Sequence, residues 1–132
     1  MDVSVRPATA SDVDALARLF DLPERAIHRL LHERTIRLGT LEDDPVAALA
    51  YDWWEETVHV THLGGDAAAL QTLLADPRRV AQRRDAPIEV VVPAEETATV
   101  SAVESSGFER VGAGPAFDGQ ATHRYRLPPG EP

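Results

Sequence analysis

Apolar positions recur along the chain with a period near two in some stretches and near 3.6 in others, and their order predicts a mixed α/β (α+β) fold. Val3 and Val5, ending at Pro7, form a short first strand. Ser11 opens a helix with Asp14 at capping-box spacing, and Val13, Leu16, Ala17 and Phe20 make its apolar stripe. Asp21, Leu22 and Pro23 break it. Pro23-Glu24 then suits the first turn of a second helix that buries Ala26, Ile27, Leu30 and Leu31. A strand over 35–41 alternates Ile36 and Leu38, residues 42–45 turn, and a strand over 46–54 meets one over 57–63 through a tight Glu55-Glu56 hairpin. Gly64-Gly65 reads as a turn and Asp66 as the N-cap of a third helix with Leu70, Leu73 and Leu74 on one face. Asp76-Pro77 predicts a break and a restart carrying Arg78 to Arg84. Ile88 to Val92, an unbroken apolar run between prolines, predicts a central strand covered on both faces. Residues 95–106 form a last helix with Ala98, Ala102 and Val103 inward, and Gly107 is its C′ residue. Strands over 108–111 and 122–127 follow, joined by a Gly/Pro loop, and the tail 128–132 is expected to fray. No repeat or linker interrupts this order, so a single domain is expected over 1–132, with its core at 3–127.

Composition narrows the classes. All 13 basic residues are arginine, against 22 Asp and Glu, for a formal charge of −9. An acidic chain without lysine suits a halophilic host, and an ordinary acidic protein from a GC-rich genome accounts for it equally well. Net negative charge repels the phosphate backbone and argues against a nucleic-acid partner. The absence of cysteine excludes disulfides, thiolate metal sites and cysteine nucleophiles. Asp2 follows Met1 with no apolar run of the signal-peptide kind, and stretches such as 46–51 are too short to cross a bilayer. A cytoplasmic protein with no membrane partner is expected.

Candidate chemistry gathers where the strand over 57–63 meets the third helix. A strand, a glycine turn and a helix start can hold a phosphate, because free backbone N–H groups and the positive end of the helix dipole point outward. Three further local patterns give a resemblance. Val5-Arg6-Pro7-Ala8 followed by Ser11-Asp12-Val13, then Val58-His59-Val60, then Ser106-Gly107-Phe108-Glu109-Arg110-Val111-Gly112 are similar to the opening, the fourth strand and the Gly-Phe ending of the GCN5-related N-acetyltransferase (GNAT) family. The resemblance spans about residues 3 to 127. It implies a mostly antiparallel sheet of six to seven strands flanked by about four helices, and acyl transfer from acetyl-CoA to a small-molecule or peptide amine. Read onto this chain, it places Val60, His62, Gly64 and Gly65 at the cofactor, His59 or Glu56 as base, and Tyr51 and Trp53 along the acceptor pocket.

The chain departs from that pattern at three points. The family's phosphate loop, Arg/Gln-x-x-Gly-x-Gly/Ala, is shortened to His62-Leu63-Gly64-Gly65-Asp66, and the Asp66 carboxylate repels a diphosphate. The family's helix tyrosine falls at Val103, which cannot donate a proton, and its asparagine falls at Glu96. A non-catalytic module that has lost the coenzyme is therefore the alternative function.

The remaining clusters have plain readings beside functional ones. His59 and His62, three apart on a strand, are expected on opposite faces, so they do not share a metal. His28 and His32 fall at i, i+4 on the second helix without an evident third ligand, and no metal site is expected. Tyr51 and Trp53 share one strand face and Trp54 takes the other, either as an aromatic wall or as core and interface, and an exposed tryptophan raises a homodimer. Arg78, Arg79, Arg83 and Arg84 suit a coenzyme phosphate or, more simply, a solvated helix face. No hydrolase, zinc-protease or nucleotide-binding fingerprint is present.

Overall fold

A computed structural model describes residues 2–116 and 119–129. They form β1 (Ser4–Pro7), a 3-10 turn (Ala10–Asp12), α1 (Val13–Phe20), α2 (Glu24–Glu33), β2 (Thr35–Leu41), β3 (Asp44–Trp54), β4 (Thr57–Gly65), α3 (Ala67–Arg83), β5 (Ile88–Pro93), α4 (Thr97–Ser105), β6 (Glu109–Ala113) and β7 (Thr122–Leu127). The seven strands lie in one sheet in the order β1-β2-β3-β4-β5-β7-β6. All neighbours are antiparallel except β4 and β5. The mixed, mostly antiparallel sheet with four α-helices is the architecture expected from the pattern. The tail 130–132 and residues 117–118 lie outside the described residues.

Each sheet face has its own core. Leu49, Tyr51, Val58, Val60, Leu63, Val90, Val92 and Tyr125 face α3 and α4, while Ile36, Leu38, Ala48 and Ala50 face α1 and α2 through Leu16, Ile27 and Leu30. Short turns set the hairpins. Glu42 and Asp43 (φ 52° and 66°) join β2 to β3, and Glu55 and Glu56 (φ 49° and 58°) join β3 to β4. Two central residues at positive φ match the right-handed twist of the flanking strands. The first turn therefore occupies two residues rather than four, and Asp44 and Pro45 begin β3.

The entry to α1 also differs in detail from expectation. Asp12, not Asp14, makes the capping contact, accepting from the Thr9 backbone N–H at 2.8 Å. The same carboxylate takes both Nη groups of Arg6 (2.9 and 2.8 Å) and so ties β1 to α1. Its pKa is held below the usual carboxylate range, chiefly by the Arg6 hydrogen bonds.

α3 does not break at Pro77. It runs unbroken from Ala67 to Arg83 with the proline inside. An internal proline costs about 3 kcal/mol, but Leu70, Leu73, Leu74, Pro77 and Ala81 are all buried along one stripe. Each such leucine contributes roughly 1.5–3 kcal/mol of burial. Asp76 adds a polar clamp: its Oδ2 accepts from Tyr51 Oη (2.7 Å) and Arg37 Nε (3.1 Å), and its Oδ1 from Arg79 (3.2 Å). A helix broken there would lose both the stripe and the clamp. In α4 the inward residues are Thr99, Ala102 and Val103, and Ala98 is exposed. Among the described residues no helix is long and apolar enough to cross a membrane.

Candidate functional site

The site opens where two strands part. β4 and β5 pair at only three positions, Val58↔Ile88, His59↔Glu89 and Val60↔Val90. β5 then follows β7 through to Pro93↔Thr122, while β4 stays with β3 to Ala47↔Gly65. The wedge between them is a cleft of about 480 Å³. Thr61, His62 and Leu63 of β4 form one wall and Val91 and Pro93 of β5 the other. Phe20, Leu22, Arg34 and Glu96 close it. β5 is thus not covered on both faces: Ile88, Val90 and Val92 are buried, while Val91 and Pro93 are the partly open face that meets the cleft. The volume and mainly apolar walls suit a small organic ligand or an acyl chain.

A bulge turns His62 into this cleft. The β3–β4 register passes from Tyr51↔Val60 to Ala50↔His62, which leaves Thr61 as an extra residue. Residues directly opposite share a face. His59, opposite Asp52, and His62, opposite Ala50, therefore both lie on the α1/α2 side. Strict alternation would have placed them on opposite faces. Among the described residues, no three His, Asp or Glu side chains converge as a metal site.

The hydrogen bonds around His62 fit the tautomer protonated at Nδ1. Thr61 Oγ1 lies 3.4 Å from the Ala50 carbonyl, an acceptor for its own proton. The hydroxyl then accepts from His62 Nδ1–H at 3.0 Å. Nε2 is left as the lone-pair nitrogen. The ring packs on Phe20 with centroids 5.7 Å apart. Burial first, and then the positive charge of Arg34, push the His62 pKa below its ordinary value. The imidazole is neutral at pH 7, as a proton acceptor must be.

The other expected site residues fall elsewhere. His59 stacks on Trp54 (5.6 Å), and it and the exposed hairpin residue Glu56 lie outside the cleft lining. Tyr51 is buried on the α3 side with its hydroxyl on Asp76, and its pKa is pushed up to about 12 by burial first and by Asp76 next. Trp53 lies under the Arg84 guanidinium at 4.4 Å. Tyr51 and Trp53 do share a face, but it is the face that holds α3. Val60 is 1% exposed within the core. His28 and His32 are exposed on α2. In the arginine cluster, Arg78 donates to the Ser106 carbonyl, Arg79 to Asp76, and Arg84 covers Trp53.

Gly64 and Gly65 are not a turn. β4 runs through both, and each is glycine because another chain segment crosses it closely. A Cβ on Gly64 would stand 2.1 Å from the Leu19 carbonyl oxygen, and one on Gly65, at φ 118°, would stand 2.3 Å from that of Val46. The Asp66 N–H donates to Val46 O (2.9 Å), and the Asp66 carboxylate accepts from Ala69 N–H (3.0 Å). The start of α3 is thus capped by a carboxylate of this chain. A coenzyme diphosphate does not fit this corner: a donor it would use is taken, and a like charge sits beside it. On α4 the buried Val103 offers no proton.

No protein-family model matches the chain, and no curated protein does. Solved structures match over its whole length. An N-acetyltransferase from Staphylococcus aureus Mu50 superimposes with a TM-score of 0.78 at 11% identity, covering 97% of this chain and 98% of that one. A GNAT family acetyltransferase from Elizabethkingia anophelis with acetyl-CoA bound gives 0.70 at 14%, covering 96% and 97%. A ribosomal-protein-alanine N-acetyltransferase from Brucella melitensis gives 0.72 at 18%, covering 94% and 98%. The fold is that of the GNAT acetyltransferases, as the sequence resemblance implied.

Arg34, Phe20 and Thr61, which the sequence did not single out, line the cleft beside His62, which the resemblance places at the cofactor. Arg34 carries no motif. The doubled apolar character of β5 and the odd spacing of the two strand histidines were the available signals.

Proposed function

We propose that the protein is a GNAT-type acyltransferase that acylates a small amine within the β4–β5 cleft, with His62 as the base. The observation that carries this reading is a largely buried imidazole, its Nδ1 3.0 Å from Thr61 Oγ1, on the wall of the cleft where the two strands part; burial disfavours its charged form. An acyl thioester, acetyl-CoA being the one the fold implies, would supply the acyl group. The chain's own part is to receive the amine proton at His62 Nε2 and to keep bulk water out with Phe20, Leu22 and Val91. Such a base contributes on the order of 10²–10⁴ in rate. The cleft walls would hold such a donor through its acyl and pantetheine portion, without help from the α3 start. Tyr51 and Trp53 belong to the α3 packing in this reading, and His59 and Glu56 take no part.

A second reading, a binding module without catalysis, is favoured by the Asp66 cap on α3 and by Val103 at the proton-donor position. Thiol release from acetyl-CoA with a panel of small amines separates the two. The chain has no cysteine, so every thiol detected comes from the donor. Amine-dependent release that falls at least a hundredfold in His62→Ala supports the first reading. No release with any amine, or an unchanged rate in the variant, removes it.

A further inference from the structure

We propose that the preferred donor is a nucleotide-free acyl thioester, recognised through its acyl and pantetheine arm, rather than acetyl-CoA. A nucleoside diphosphate needs backbone N–H groups and cations where the arm leaves the cleft. Four N–H groups at a helix start have no partner within the helix. At α3, that of Asp66 goes to the Val46 carbonyl and that of Ala69 to the Asp66 carboxylate. Ala67 and Ala68 are left, next to a negative charge. The strand before them makes no concave loop: Gly64 and Gly65 pair with Ala48 and Ala47 of β3 and are pressed against Leu19 and Val46.

No cation of α3 makes up for this. Its first arginine, Arg78, bonds the Ser106 carbonyl and stands about 18 Å further along the helix than Asp66. Arg18 reaches the Pro45 carbonyl at 3.4 Å, but from α1, on the other face of the sheet. The turn leading into Val46 adds Glu42, Asp43 and Asp44. The cleft asks for the opposite chemistry. It holds about 480 Å³ between the apolar walls of Phe20, Leu22, Leu63, Val91 and Pro93, which suits an acyl group and an uncharged arm of amides and methylenes. The chemical class is therefore an acylated pantetheine, free or carried on a protein through a single phosphate. In the transfer, the amine nitrogen bonds the acyl carbon as the C–S bond breaks. The sulfur leaves as thiolate and the amine proton passes to His62 Nε2. That the ligand is a donor rests on the function proposed above, whereas the preference for the nucleotide-free form does not.

Thermal unfolding of the wild-type protein with acetyl-pantetheine, acetyl-CoA or ADP, without any amine, tests this with no mutation, since a ligand of the folded state raises Tm by mass action. Acetyl-pantetheine is expected to bind on the order of tenfold or more tighter than acetyl-CoA, and ADP to leave Tm unchanged. Acetyl-CoA binding as tightly as acetyl-pantetheine or tighter, a rise in Tm with ADP, or no shift by either thioester at about 10 mM, a weak limit for a specific site, overturns the inference. Tighter binding of acetyl-pantetheine with no thiol release from either thioester upholds it and removes acyl transfer. Amine-dependent thiol release with kcat/KM for acetyl-CoA equal to or above that for acetyl-pantetheine does the reverse. The acetylated arm on an acyl carrier protein separates the two sources: faster release than from the free thioester assigns the arm to a carrier, slower release assigns it to a small molecule, and the inference stands in both.

Discussion

Asp66→Asn separates the two jobs of one side chain. Asparagine caps a helix as well as aspartate does, so the bond to the Ala69 N–H at 3.0 Å survives while the charge goes. A phosphate seeking the same helix start would lie roughly 4–6 Å from that carboxylate, the reach over which a neighbouring charge acts strongly. At about 5 Å and an effective dielectric of about 40, intermediate between water and a protein surface, each charge pair costs about 1.7 kcal/mol, or about 3 kcal/mol for a diphosphate. Screening at physiological salt, with a Debye length of about 8 Å, leaves about 2 kcal/mol. That is a factor of about 30 in affinity. Isothermal titration with coenzyme A and with pantetheine, which lacks the diphosphate, reads it directly. The variant should bind coenzyme A about 30-fold more tightly than wild type does, with pantetheine unchanged and the unfolding midpoint in urea nearly so. Wild-type protein that prefers coenzyme A to pantetheine, or a variant that gains nothing, would refute the electrostatic reasoning.

Other perturbations have definite signs. His62 has a folded pKa below its unfolded value of about 6.5. It therefore contributes stability that is present above that pH and is lost as pH falls toward the folded pKa; the urea midpoint difference between wild type and His62→Gln should shrink over that window, and a constant difference would contradict it. Asp76→Ala strands the Tyr51 hydroxyl and Arg37 and should cost about 2 kcal/mol after allowing for the exposed arginines, about 8 °C in Tm by calorimetry. Gly64→Ala drives a methyl into the Leu19 carbonyl and should destabilise by about 3 kcal/mol, visible as a lower urea midpoint; a neutral effect would mean that α1 does not cross β4 there. If the excess of 22 acidic over 13 basic residues reflects a salt-loving host, Tm should climb steeply with KCl, and a flat response rules that host out.

Local chemistry made much of the fold readable. The Glu55-Glu56 hairpin, the Asp66 cap and the Gly107 helix end each depend on a few adjacent residues, and each stands where the pattern put it. What failed to show depends on distant partners. Pro77 looks like a helix breaker until Tyr51 and Arg37, on other elements, are seen holding Asp76. Gly64-Gly65 looks like a phosphate turn until Leu19 and Val46 are found against it. Tyr51 and Trp53 were correctly paired on one strand face, but periodicity cannot say which helical layer that face meets. Arg34 lies 28 positions before His62 in sequence, and only the folding of α2 over β3 brings its charge to the imidazole.

Thr61 sets the phase of β4. Up to Val60 the even-numbered residues pack under α3, and beyond the extra residue the odd-numbered Leu63 takes that role. Drawing Thr61 into the regular ladder would swap every side chain downstream of it between layers and turn the imidazole toward the α3 core, whereas deleting Thr61 would close the bulge and keep the Ala50↔His62 pairing. That deletion would leave the ring on the cleft wall and take away only the hydroxyl beside its Nδ1, so the one unpaired position of this strand both keeps its two halves in phase with different layers and steadies the side chain that follows it.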